Sequence, residues 1–300
     1  MTADSNEKNG IAIGVSAYVL WGVAPVFFKL LASVPATVII AHRIVWALLL
    51  LLVFLLLRER QKFFQVIHVT GRQMAMLALS GSLVVLNWLV FVWAVNQGQI
   101  MATSLGYFIN PLVNILLGLV FFNDRLNKIQ VFALLLATAS TVYLGFYIGE
   151  PPWIALTLGF SFGFYGLVRK KLGVRPMVGL FWETALLTLP ALGFLWLYAP
   201  VYTFDGSSEM HMGLLFLSGL VTVIPLICFN VAAKKLTLSM IGFLQYIAPT
   251  ISFLIAVLFY DEIFTRGHQI AFTGIWLALI LISCVPMWKK MRGNKGSATV

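Results

Sequence analysis

Ten long apolar runs divide this chain almost from end to end, at roughly 10–30, 37–57, 73–95, 100–122, 129–148, 152–168, 178–200, 212–233, 239–260 and 269–288. A helical run of about 20 apolar residues crosses a ~30 Å hydrocarbon core, and lipid leaves a spanning backbone little choice but helix. The expected fold is therefore all-α, a polytopic membrane protein of ten transmembrane helices. Composition excludes the soluble alternative: 61% of residues are hydrophobic and only 10% charged, against about 25% charged in an ordinary soluble domain. The links are short, as at Asn96–Gln99, and no G-x-x-x-x-G-K-[ST] loop occurs, which argues against direct use of ATP. Cys228 and Cys284 both fall inside apolar runs and have no His neighbours. No disulfide, metal or cofactor is expected of them.

The net charge of +10 suggests nucleic acid until the basic residues are placed. With the N-terminus inside and the sides alternating, the inner segments hold Lys8, Arg58, Arg60, Lys62, Arg72, Arg125, Lys128, Arg169, Lys170, Lys171, Arg175, Lys234, Lys235, Lys289, Lys290, Arg292 and Lys295. Only Lys29, Arg43 and Arg266 fall elsewhere. This is the positive-inside pattern of a chain with both termini cytoplasmic. The first run is longer than a signal-peptide core and follows a leader carrying Asp4 and Glu7, so it reads as a retained helix. No basic patch is left on a soluble domain to hold nucleic acid.

The chain also repeats itself. Residues 104–133 laid on 242–271 at constant offset match Ile109 with Ile247, Pro111 with Pro249, Leu116 with Leu254, Phe121 with Phe259 and Ala133 with Ala271. Asn123-Asp124 meets Asp261-Glu262, and Trp21-Gly22 in the first run echoes Tyr165-Gly166 in the sixth. Five spans per copy is an odd number, so the copies lie inverted in the membrane. Inverted repeats place a substrate site near the midplane and permit alternating access.

Polar groups inside the runs are the site candidates, because each is costly in lipid. Glu183 is the one acidic residue well inside a run. It is a candidate proton carrier, with a carboxylate locked to Arg43 or to a helix end as the structural reading. His42, which titrates near neutrality, is a second proton candidate. Arg43 offers a cation to an anionic substrate group or to Glu183, and snorkelling to the interface is its bland reading. At 100° per residue Thr103, Tyr107, Asn110 and Asn114 share a wedge of about 60°, while Gln245, Pro249 and Ser252 form a matching stripe with Tyr246 beside it. Amides with both donors and acceptors, Asn87 included, suit a substrate cavity, and interhelical packing bonds are the competing use. Tyr18, Trp21, Trp88, Trp93 and Tyr165 are candidates to line a pocket for apolar or cationic compounds, Trp21 and Tyr165 first among them, with lipid or core packing as the competing use and Trp153 and Trp288 as interface anchors. Pro25, Pro111, Pro190, Pro225 and Pro249 each free a carbonyl, so Pro25, Pro111, Pro225 and Pro249 are candidate gating hinges. Gly159 and Gly163 form a small-xxx-small packing pair.

The stretches AYVLWGVAPVFFK (17–29), AHRIVWA (41–47), NWLVFVWAVN (87–96), GYFINPLVN (106–114), FSFGFYGLVRKK (160–171) and GFLQYIAPT (242–250) resemble the RarD permeases. These form part of the EamA branch of the drug/metabolite transporter superfamily. The resemblance runs from about residue 10 to about 288. It implies two inverted five-helix EamA repeats at 10–148 and 152–288, flanked by cytoplasmic tails at 1–9 and 289–300. It further implies residence in a bacterial inner membrane, export of small molecules, and a complete transporter in one chain, as monomer or homodimer. Together with the duplicated plan and Glu183, the expected function is a secondary active transporter coupled to protons rather than an enzyme. Its partners are the bilayer, a small-molecule substrate and protons. The alternatives are an integral-membrane enzyme, for which Asp261-Glu262 with His268 is the nearest constellation, and a non-transporting receptor or assembly factor.

Overall fold

Apolar runs with few competing polar side chains satisfy their backbone internally, and helices result. The computed structural model describes residues 3–122, 128–149, 151–198, 208–233, 235–236 and 244–295, with helices and turns but no strand among them. We label α1 (Ala3–Gly22, continued past Val23 by a short helix, Ala24–Lys29), α2 (Ala36–Glu59), α3 (Gly71–Asn96), α4 (Ile100–Phe122) and α5 (Lys128–Ile148). Then come α6 (Trp153–Leu172), α7 (Pro176–Tyr198), α8 (Ser208–Ala233), α9 (Ile247–Phe259) and α10 (Arg266–Lys295). The helices follow the apolar runs, and α1 and α10 extend beyond them, so the polar flanks expected as tails are helical where described. Asn123, Asp124, Arg125 and Lys234 lie outside the described residues, as do the side chains of Cys284 and Trp288.

Local chemistry sets several boundaries. Thr70 accepts from the Gln73 backbone N–H and Gln73 Oε1 accepts from the Thr70 N–H, a reciprocal capping box that starts α3. Gly173, at φ 66°, ends α6 in the left-handed conformation. Pro111, Pro190 and Pro225 sit inside α4, α7 and α8. Pro25 follows a helix break at Val23 inside the single span Lys8–Lys29, as read from sequence, whereas Pro249 lies near the start of the described part of α9. Both prolines occupy first turns, where the missing N–H had no helical partner to lose. The break between α1 and its continuation is bonded from α9 instead, since Ser252 Oγ donates to the Gly22 carbonyl at 2.9 Å.

Seven stretches among the described residues, formed by α1–α5, α7 and α8 with the second running on past α2 to Val66, are long and apolar enough to cross a membrane. The ten spans expected from sequence exceed this by α6, α9 and α10. The described part of α9 has 13 residues, or about 20 Å of helix. The principal packing pairs have a regular order: α4 on α6 and α1 on α9; α3 on α6 and α1 on α8; α2 on α8 and α3 on α7; and α2·α7, α4·α9 and α5·α10. Exchanging each helix with the one five places along turns this set into itself. Gly163 shows how closely such pairs approach, because a Cβ there would lie 2.6 Å from Val113 Cγ1 of α4. Phe28, Ile39, Ile100, Leu158, Phe272 and Ile275 are fully or almost fully buried, whereas Leu57, Phe146, Leu189 and Trp196 are at least 72% exposed. An exterior this apolar fits lipid rather than water.

Candidate functional site

Two polar clusters interrupt the apolar interior, and each joins helices from both halves of the chain. In the first, Glu183 of α7 is completely buried. It accepts from Ser80 Oγ of α3 at 2.6 Å and from the Tyr165 hydroxyl of α6 at 3.4 Å. Arg169, one turn beyond Tyr165, brings Nη1 to 3.6 Å from Glu183 Oε1, and its Nη2 donates to the Pro176 carbonyl at the start of α7. The Glu183 partner is therefore Arg169 and not Arg43. The positive-inside count read Arg169 as a loop cation, but the guanidinium folds back along α6 toward α7 and keeps only 13% side-chain exposure.

The second cluster centres on Arg43 of α2. The side chain is 6% exposed, and its Nε donates to Thr222 Oγ1 of α8 at 2.5 Å. Gly219, one turn before Thr222, makes this possible: a Cβ there would lie 2.7 Å from Trp46 Cβ, so α2 and α8 touch backbone to backbone. The guanidinium lies 4.2 Å from the Trp88 ring centroid and 5.4 Å from that of Phe28. An unpaired charge at this depth costs on the order of 2.5–3.5 kcal/mol by insertion scales, and one desolvated cation–π contact returns about 2 kcal/mol. Ring and hydroxyl solvate the cation but do not neutralise it. Among the described residues, no carboxylate forms an ion pair with Arg43.

Asn87 of α3 stands between the clusters. It is 1% exposed and donates through Nδ2 to the Leu158 carbonyl at 2.9 Å and to Ser161 Oγ at 3.0 Å, both on α6. Its Oδ1 accepts from the Tyr107 hydroxyl of α4 at 3.1 Å. Aromatic rings complete a continuous track from one charge to the other. Phe28 meets Phe91, Phe91 meets Tyr107, Tyr107 meets Phe162 and Phe162 meets Tyr165, with centroids 5.7–6.4 Å apart.

The remaining candidates divide. Asn110 is buried with Oδ1 unpartnered, and so is His42 with Nε2 unpartnered, among the described residues. His42 does not join the Glu183 hydrogen-bond cluster. Asn114 is exposed and lies over Gly166, 4.0 Å from where a Cβ would stand. Trp21 packs with Tyr18 and Phe229 at 5.5 and 5.9 Å, an arrangement matched by Phe162 and Tyr165 in the other half. Gln245 and Tyr246 are half-buried in the turn before α9, so the stripe read with Pro249 and Ser252 leaves the helix at its first member. Sequence reading missed Ser80, Ser161, Arg169 and Thr222. The i, i+4 spacing of Tyr165 and Arg169 was the available signal for Arg169.

At the end of the bundle where α3 gives way to α4, Glu262 accepts from the Ile100 and Met101 backbone N–H groups at 2.6 and 2.7 Å. A carboxylate there caps the α4 N-terminus and its dipole. Burial pushes this carboxyl up from its ordinary value, and the two amides and Lys29 pull it back. Two cavities of about 560 and 530 Å³ lie apart from both charges. One is apolar, between α4, α5 and α6; the other is lined by Pro35, Trp93, Asn96 and Trp153 among others.

The sequence pattern of the EamA-like transporter family matches residues 8–146 and again 152–284. The chain belongs to that family. Protein RarD of Escherichia coli strain K12 is 40% identical over 298 residues, covering 96% of this chain and 98% of that protein. A Vibrio cholerae serotype O1 protein named an uncharacterized transporter is 42% identical over 287 residues, covering 94% and 95%. One solved crystal structure shares the fold with a TM-score of 0.61 at 18% identity, covering 91% of this chain and 96% of its own. The protein is thus a multi-pass membrane transporter, similar to RarD proteins along nearly its whole length.

Proposed function

We propose that this transporter is a secondary exporter of small molecules in a bacterial inner membrane, with both termini cytoplasmic, driven by exchange with protons. Two inverted five-helix halves, within 10–148 and 152–288, rock about the shared interior and open it to each side in turn. The observation that carries the coupling is the composition of the Glu183 cluster, since one carboxylate holds Ser80 of the first half and Tyr165 and Arg169 of the second. While ionised it draws all three together. A proton arriving from outside removes its negative charge, loosens its hold on Arg169 and weakens the tie between the halves. Asn87 holds the Tyr107 hydroxyl in place, Tyr107 and Asn110 supply hydroxyl and amide groups to the substrate, and Trp21, Trp88 and Tyr165 supply ring faces. Pro111 and Pro225 are the hinge candidates inside helices.

Protein reconstituted in sealed vesicles tests this. An imposed pH gradient drives uptake or release of solutes from a metabolite panel, and Glu183→Gln abolishes the gradient dependence. Normal, still pH-dependent transport by Glu183→Gln removes the coupling role and leaves the transporter. Ligand binding or product formation without flux favours the receptor or the enzyme.

A further inference from the structure

Buried charge in this bundle is unevenly matched. Arg169 has Glu183 within ion-pair distance, and Lys29 has the Val95 carbonyl together with the field of Glu262. Arg43 is more deeply buried than Arg169, yet among the described side chains it meets only a threonine hydroxyl and aromatic rings. Only its Nε takes part in a hydrogen bond there. The terminal nitrogens remain, and these form the planar fork that carboxylates engage with two parallel bonds. Among the described residues Asn110 Oδ1 and His42 Nε2 are buried without a hydrogen-bond partner, as is Arg169 Nη1, which has the Glu183 carboxylate at 3.6 Å for its charge. A low-dielectric interior that holds an unneutralised cation attracts an anion strongly.

We propose that the substrate is an organic monoanion with a flat apolar or aromatic body. Its carboxylate, or an equivalent anionic group, supplies the counter-ion that Arg43 lacks. The body lies against Trp88 and Tyr107, the half-buried rings beside the guanidinium. This deepens the transporter reading and rests on it. It also divides the labour between the clusters. Glu183 already has its cation and serves the proton, while Arg43 selects the charge of the cargo. A neutral or cationic analogue of the same shape leaves the guanidinium desolvated and unpaired, so discrimination follows from charge more than from size. A bilayer phosphate offers the same anionic chemistry, and the experiment must separate the two sources.

The test uses the full chain in nanodiscs of phosphatidylcholine alone. Thermal unfolding is followed with benzoate, 3-phenylpropionate and indole-3-acetate, with their primary amides, and with 3-phenylpropylamine. At least one carboxylate is expected to bind about tenfold or more tightly than its amide, and the amine is expected not to bind. Arg43→Gln abolishes that preference. Thr222→Val, which keeps the charge, weakens carboxylate binding several-fold and preserves the preference. Equal or better binding of amides or amine overturns the proposal, as does carboxylate binding that survives Arg43→Gln or the absence of any carboxylate response. Loss of carboxylate binding when phosphatidylglycerol replaces part of the lipid overturns it in favour of a lipid site. In vesicles, neutral or cationic solutes carried unchanged by Arg43→Gln defeat the proposal alone. Carboxylates that bind through Arg43 but never cross defeat the transport reading alone.

Discussion

Arg43 and Glu183 are both charged groups locked inside a helix bundle, and their surroundings are opposite. Glu183 accepts from donors on two neighbouring helices, α3 and α6, and faces a cation at 3.6 Å. Arg43 rests on rings, holds one hydroxyl, and has no carboxylate paired with it among the described residues. Both are costly to bury, and the difference is the ground for giving them the two separate roles proposed above. A matched charge holds the assembly together and changes that assembly when it gains a proton. An unmatched charge does little for assembly, and the proposal assigns it to a bound anion.

The comparison gives mutations of opposite sign. Glu183→Ala leaves Arg169 without its carboxylate and is expected to cost about 3–5 kcal/mol, read as a large fall in the thermal midpoint of the purified protein in detergent. Glu183→Gln, which still accepts from Ser80, falls by clearly less. An alanine variant as stable as wild type would break the contrast at its stronger end. Asn87→Ala removes two donated bonds and one accepted bond, and strands the Tyr107 hydroxyl. It is expected to cost about 1–3 kcal/mol in the same assay, with Asn87→Asp intermediate. Glu262→Ala uncaps α4 at the bundle end and costs about 0.5–2 kcal/mol; hydrogen exchange at Ile100 and Met101 is the sharper readout. Arg43→Met comes last, because replacing an unmatched buried ion by an apolar side chain is often neutral or stabilising. It should shift stability by less than about 1 kcal/mol, or raise it, while transport is lost. A collapse of Arg43→Met comparable to that of Glu183→Ala would mean that Arg43 is structural after all.

The helices were legible because their signal is local, with apolar runs, a Thr-x-x-Gln cap before α3 and Gly173 after α6 all close together in the chain. The individual candidates Glu183, Arg43, Asn87 and Tyr107 were legible too, since a polar side chain inside an apolar run has few innocuous explanations. Their partners were not. Counting charges assigns Arg169 to a loop, and only the packing of α6 on α3, with α7 beside it, shows where its guanidinium lies. Thr222 reads as an ordinary helix hydroxyl until Gly219 brings α8 against Trp46. Helical spacing failed at Gln245 because the helix begins after it. The repeated packing pairs of α1–α5 and α6–α10 explain why a match as faint as Trp21 with Tyr165 carried information.

The most direct test labels one residue from each side of the membrane. With Cys228 and Cys284 replaced, a cysteine at Asn110 in sealed vesicles meets a membrane-impermeant thiol reagent applied outside or inside. Alternating access around the buried polar clusters predicts labelling from either face, slowed from one face when a pH gradient is imposed and faster from the other. No labelling from either face, or labelling from a single face that the gradient leaves unchanged, would contradict the account.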